Sequence, residues 1–379
     1  MRAQQHIWNA EDGWCNAEGT GSVTNPQIVL YFAAPGTASQ SECFNELKQR
    51  YPNAHIIGCT TGGEILASDV LDSSVVATSI EFEKTKVEIS SGQIEATDES
   101  YSCGQKIGND LFNDDLATVF VLCDGIRVNG SELVRGIIDV IGSDIPITGG
   151  MAGDGDRFEM TLVGLDSEPK EGKIVAFGLY GDSVTIGHGS VGGWDVFGPE
   201  RVITKSQDNV LYELDGEPAL ELYKKYLGDE AQNLPGSGLL FPLKIHPVDA
   251  PNKDVVRTIV GIDEQNQSLI FAGNIPQNYN AQLMRGNFEH LIEGAASAAE
   301  SAMKTANGSN KVAIMVSCIG RKLLMGQRIT EEIEAASEIL GLDTIRTGFY
   351  SYGEISPHEV SGVSDLHNQT MTVTVYSEN

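Results

Sequence analysis

The octapeptide Gly58-Cys-Thr-Thr-Gly-Gly-Glu-Ile65 returns in the same frame near the other end of the chain, as Gly348-Phe-Tyr-Ser-Tyr-Gly-Glu-Ile355. Gly58 matches Gly348, Thr61 matches Ser351, Gly63 matches Gly353 and Glu64 matches Glu354. The approach to each copy matches as well. Before the first come an apolar run (28–33), an amphipathic run (Cys43, Phe44, Leu47) and a short strand-like piece at 55–57. Before the second come residues 312–316, then Ile333, Ala336, Ile339 and Leu340 at helical spacing, then Thr344 and Ile345. Apolar residues at i, i+3 and i+4 predict helix, and short apolar runs bounded by Gly or Asn predict strands. Each end therefore reads as strand, helix, strand and a glycine turn that presents a carboxylate. Glycine permits positive φ and close backbone approach there. A repeat of this length constrains the fold before any single residue does.

A third variant lies between them. Residues 118–122 are strand-like, Leu133, Ile137, Ile138 and Ile141 keep helical spacing, and Ile145-Pro-Ile-Thr148 leads into Gly149-Gly-Met-Ala-Gly-Asp154. Three such units predict an α/β (mixed α+β) fold whose glycine turns gather along one edge, where sheets of this class bind ligands. From Gly172 the period shortens. Segments 173–180, 184–188, 201–206 and 210–213 read as an antiparallel meander. Residues 214–228 read as a helix with Pro218 in its first turn and Gly228 as its stop. Residues 234–238 read as a linker, 255–262 and 268–272 as a hairpin, and 291–306 as an alanine-rich helix.

With 379 residues the chain is long enough for two domains. Its 53 acids against 25 bases give a formal charge of −28. That sign repels phosphate backbones and anionic lipid, so no nucleic-acid or membrane-surface partner is expected. No apolar run approaches the ~20 residues needed to span a bilayer, and the first eight residues carry no signal-peptide core. The six cysteines show no C-x-x-C spacing, which points to reduced thiols in the cytoplasm and to no zinc site.

Seven motifs in order resemble the FIST-domain family: 57–64, 148–154, Gly193-Trp-Asp-Val-Phe-Gly-Pro199, Leu211-Tyr-Glu-Leu-Asp-Gly216, Phe241-Pro-Leu243, Ser317-Cys-Ile-Gly-Arg321 and 349–354. The resemblance implies an amino-terminal module over 25–215 and a carboxy-terminal module over 216–379, with 1–24 outside both. It also implies a bacterial signal-transduction sensor for a small ligand, with amino acids the usual proposal. Such proteins are associated with histidine kinases or with cyclic-dinucleotide enzymes (diguanylate cyclases and phosphodiesterases). Some members bind haem and sense nitric oxide.

On the residues themselves, Glu64 and Glu354 could take a ligand ammonium or could cap neighbouring backbone. Arg321 could hold a carboxylate in a bidentate fork. Tyr352 could close over an apolar ligand, and Asp154 is either a ligand group or a turn residue. A haem would need an axial histidine in an apolar slot. Of the seven histidines, His246 is the first candidate, with His188 and His290 behind it. Enzyme motifs are scarce. Gly187-His-Gly-Ser-Val-Gly192 fits G-x-G-x-x-G but leads into Trp194 and Pro199, not into a helix. Cys59 or Cys318 could be a nucleophile, but neither has a local base. A sensor, not an enzyme, is the expectation, with a haem sensor and a Cys- or carboxylate-dependent enzyme as alternatives.

Overall fold

The computed structural model describes residues 1–9, 11–37 and 41–379. About 25% of the chain is helix and 42% strand, in several mixed sheets. The three units are present, and each is built alike. Ile28–Ala33 pairs in parallel with His55–Thr60 across the helix Ser41–Arg50. Leu116–Cys123 pairs with Ile147–Met151 across Gly130–Ile141. Lys311–Cys318 pairs with Thr344–Ser351 across Ile319–Met325 and Ile329–Leu340. A last strand then runs antiparallel to the first of each unit: Val75–Glu81, Lys173–Tyr180 and Met371–Glu378.

The strand that follows each glycine turn leaves its own unit. Glu64–Leu66, from the first, extends the sheet of the third. Gly353–Pro357, from the third, extends the second, and Val163–Leu165, from the second, extends the first. The exchange is cyclic and gives the body a pseudo-threefold axis. A second exchange runs the opposite way round, since Lys86–Gln93, after the first unit, joins the second unit's sheet and Val184–Val191, after the second, joins the third's. The corresponding place in the first sheet is taken by Arg2–Asn9, with Gly13–Gly19 beside it. The amino-terminal residues, which carry no recognisable motif, thus complete a sheet.

The apolar runs are continuous because these strands are covered on both faces. Ile28, Leu30 and Phe32 join a central core with Phe120, Phe177, Ile314 and Phe349 from the other units. Val29, Tyr31 and Ala33 face the other way, onto Cys43, Phe44 and Leu47 of the covering helix. Phe32 stacks on Phe349 at 4.7 Å between ring centres. Each such ring contributes about 1.5–3 kcal/mol by leaving water, and here the burial ties separate units together.

Two expectations change. Segments 173–180 and 184–188 do not form one meander. They lie in different sheets, because the first pairs with Leu116–Cys123 of its own unit and with Lys86–Gln93, while the second pairs with Met371–Glu378 of the third unit. Segments 201–206 and 210–213 do pair, as Arg201–Gln207 with Val210–Leu214, but inside a separate lobe. That lobe, residues 194–286, enters and leaves through one neck, where Trp194–Val196 pairs with the end of Tyr279–Gly286. It has its own core of Ile203, Leu211, Leu220, Ile245, Leu269 and Phe271. The helix expected at 214–228 is Ala219–Leu227 and covers that core. The expected linker at 234–238 is compact, with the 3-10 turns Gly228–Asn233 and Gly236–Leu240 on either side of Pro235.

Candidate functional site

The three glycine turns meet at the pseudo-threefold axis. Gly62 N donates to Tyr350 O at 2.8 Å, Gly153 N to Thr60 O at 2.9 Å, and Tyr352 N to Met151 O at 3.3 Å. Each turn therefore donates to the next unit, and these contacts close a ring. Gly58, Gly149 and Gly348 occupy one equivalent place in the three parallel pairs. A Cβ on Gly149 would lie 1.9 Å from Val121 O, and one on Gly348 1.8 Å from Met315 O.

The two repeated carboxylates are treated alike. Glu64 accepts from Thr61 Oγ1 at 2.5 Å and from Ser74 N and Oγ at 3.2 and 2.5 Å. Glu354 accepts from Ser351 Oγ at 2.6 Å and from Thr370 N and Oγ1 at 3.2 and 3.1 Å. In both, the hydroxyl sits three residues before the acid, and the paired donors sit where the unit's last strand begins. Both carboxylates are fully buried and fasten the turn to that strand. Burial raises both, Glu354 to about 8. In the second unit Asp124 does this work from the end of its first strand, accepting from Gly172 N at 2.5 Å and Thr161 Oγ1 at 2.6 Å. Its signal in the sequence is weak, an acid directly after an apolar run.

Asp154 lies at the Gly63 and Gly353 position, one residue before the place of the two glutamates. It accepts from Phe158, Glu159 and Met160 N, each at 3.0 Å, and from the Tyr352 hydroxyl. Tyr352 stacks on Phe158 at 4.3 Å. Asp154 and Tyr352 together pin the loop at 154–160.

Beside this junction lies a cleft of about 430 Å³ to which all three units contribute. The first gives the turn 61–64 with Asp72 and Ser73, the second Gly155, Asp156 and Arg157, and the third Ile319 and Lys322. Lys322 donates to Gly62 O at 2.8 Å, pairs with Asp72, and lies over the Tyr350 ring at 5.3 Å. Among the described residues the Arg157 guanidinium makes no hydrogen bond, and its nearest carboxylate oxygen is on Asp154 at 4.0 Å. Glu64 lines the wall, although its oxygens are already used by the turn. Glu354 and Tyr352 are not at the wall, and Asp154 stands behind the loop that forms it. Asp72, Asp156, Arg157 and Lys322 escaped the sequence reading because neither spacing nor a repeat marks them.

Arg321 is turned inside the protein. Its Nε and Nη2 meet Glu332 at 2.9 and 2.7 Å, Nη1 donates to Gly192 O at 2.6 Å, and Nη2 also donates to Leu291 O at 2.8 Å. Glu332 is completed by Ser317 Oγ and Tyr350 OH. This buried pair joins the third unit to the neck of the lobe and leaves no fork for a ligand.

The residues do not fit a haem at His246. It lies on Leu243–Pro247 in the lobe, with Nε2 on Glu200 at 2.7 Å and Nδ1 on Pro247 O at 2.8 Å, so both ring nitrogens are engaged. His290 is held by Asp195 at 2.8 Å, and His188 sits half-buried on Val184–Val191. Among the described residues, no group of three or more His, Cys, Asp or Glu is placed to hold a metal ion. Burial pushes the Cys59 and Cys318 thiols up, away from the thiolate form. In 187–192, a Cβ on Gly187 or Gly189 would lie 1.7 or 2.2 Å from the carbonyls of Ala302 and Ala298. Those glycines seat the alanine-rich helix Phe288–Met303 against the strand.

The FIST N domain matches residues 27–217 and the FIST C domain residues 219–357, and the chain belongs to the FIST family. FIST domains are sensory domains of signal transduction. An uncharacterized protein of Methanocaldococcus jannaschii is 25% identical over 327 residues, covering 76% of this chain. The chain spans 59% of that relative's length. A solved cyanuric acid hydrolase from A. caulinodans aligns over 78% of this chain and 99% of its own at 9% identity, with a TM-score of 0.19, too distant to bear on fold or function. Among the described residues no helix is long and apolar enough to cross a membrane.

Proposed function

We propose that the cleft at the meeting of the three glycine turns binds a small zwitterionic ligand, an amino acid or a close analogue, and that the protein recognises this ligand without transforming it. The observation that carries this reading is the make-up of the wall: one surface from each unit, with charges of both signs. Asp72 and Asp156 suit an ammonium. Arg157, which has no hydrogen-bond partner among the described residues, suits a carboxylate. Glu64, at the wall, holds its own turn; Glu354, Asp154 and Tyr352 act one layer back by holding the turns and the loop, and Arg321 acts further away by holding the lobe's neck.

A ligand that touches all three units favours the arrangement in which their surfaces converge. It can shift that population only by its differential affinity for it. The output passes to a signalling partner in the cytoplasm, of the histidine kinase or cyclic-dinucleotide enzyme kind, a reading supported by the sensory role of FIST domains. A thermal-shift screen of the twenty amino acids tests the reading, since a ligand of the folded state raises the melting temperature. At least one should do so and be recovered unchanged. A flat screen, or chemical conversion of the bound compound, would overturn it.

A further inference from the structure

A second opening, of about 490 Å³, lies between the body and the inserted lobe. One wall is Ser131, Val134 and Ile138 of the helix Gly130–Ile141 with the body residues 358–365. The facing wall is Ile245, Val255, Arg257, Pro276 and Tyr279 of the lobe. Clefts of this size between two packed pieces are common ligand sites.

The charge here runs against the rest of the molecule. In a chain of net charge −28, the cleft carries Arg135, Lys253 and Arg257 against Glu132 and Asp365. Glu132 is already used, since one oxygen pairs with Arg135 and the other accepts from Asn274 Nδ2 at 2.9 Å. The Lys253 side chain is exposed and, among the described residues, makes neither a hydrogen bond nor an ion pair. Arg257 is only 3% exposed. Its Nε donates to Asn274 O at 3.0 Å, and Nη1 to Leu366 O at 2.9 Å and Val256 O at 3.4 Å. Among the described residues the remaining arm, Nη2, makes no hydrogen bond, and its nearest carboxylate oxygen is Asp365 Oδ1 at 3.9 Å. That arm is open to the water of the cleft, where an incoming acceptor can take the place of water.

We infer that this cleft is a second binding site, for a small organic monocarboxylate with an aromatic or branched apolar body. The carboxylate bridges Arg257 Nη2 and the Lys253 ammonium, and the apolar part lies against Ile138, Val255, Pro276 and Tyr279. Arg257 also holds Leu366 O of the body. The ligand therefore sits on the joint and stiffens the lobe against the body. The site is separate from the cleft at the glycine turns and does not depend on it.

Phenylacetate titrated calorimetrically into the intact chain tests this, with benzylamine as the probe of opposite charge. Saturable binding of phenylacetate and none of benzylamine is expected. Arg257→Gln should abolish binding, but that buried change endangers the fold, so Lys253→Glu is the decisive variant. It should melt as the parent does without ligand and weaken phenylacetate at least about tenfold. Arg157→Gln, in the other cleft, should leave phenylacetate affinity unchanged. No saturable binding, equal binding of benzylamine, unchanged affinity in Lys253→Glu, or loss of binding in Arg157→Gln would each overturn the assignment.

Discussion

Glu354 shows how a residue can be singled out by the sequence and then do structural work. Its carboxyl, ordinarily near 4.5, is pushed up to about 8 by burial. Between those values the folded chain holds a proton that the unfolded chain releases. Its contribution to stability is therefore complete below about 4.5 and is lost as pH rises through about 8. Glu354→Gln removes this loss. Its melting temperature relative to the parent should climb between pH 5 and pH 9, and a difference that stays flat in melts across that range would contradict the assignment. Arg321 gives the complementary case. Arg321→Met strands the buried Glu332 carboxylate and should cost about 3–5 kcal/mol in urea unfolding. Arg321→Met with Glu332→Leu should recover part of that. From sequence these residues look like ligand groups, because a carboxylate beside glycines reads the same whether its acceptors face a solute or the backbone of its own turn.

At the scale of elements, the strand-helix-strand units were legible because their period and their glycines repeat. The destination of each following strand was not. Glu64–Leu66 and Gly353–Pro357 are short, and nothing in their side chains states which sheet edge they join. The same holds for Lys173–Tyr180 and Val184–Val191, which are adjacent in sequence and so read as one hairpin. What selects the partner is non-local: a free edge in another unit and a glycine opposite it. Gly348→Ala tests that link. Its Cβ would meet the Met315 carbonyl within the parallel pair. Denaturant unfolding should show a loss at or above the usual ~1–3 kcal/mol for overpacking, because backbone cannot step aside as a side chain does. A loss under about 1 kcal/mol would mean that the strands are less closely held than described.

For the whole molecule, the family boundary near residue 218 divides the sequence but not the space. The second unit's sheet needs Gly353–Pro357, and Glu64–Leu66 needs the third unit's sheet. A fragment ending at 217 should therefore lack cooperative melting and expose apolar surface to dye. Co-expression with 218–379 should restore a cooperative transition, and a fragment that melts cooperatively alone would refute the interleaving. The candidate cleft belongs to this scale. Its charged wall was invisible in sequence because Asp72, Arg157 and Lys322 come from three units that only the cyclic exchange brings together.

The most direct test of that convergence is a calorimetric titration, with whichever amino acid raises the melting temperature most, of the parent chain and of Arg157→Gln. The account predicts saturable binding to the parent, with affinity at least about tenfold weaker in the variant and its unliganded melting temperature unchanged. Equal affinity in both proteins would contradict it.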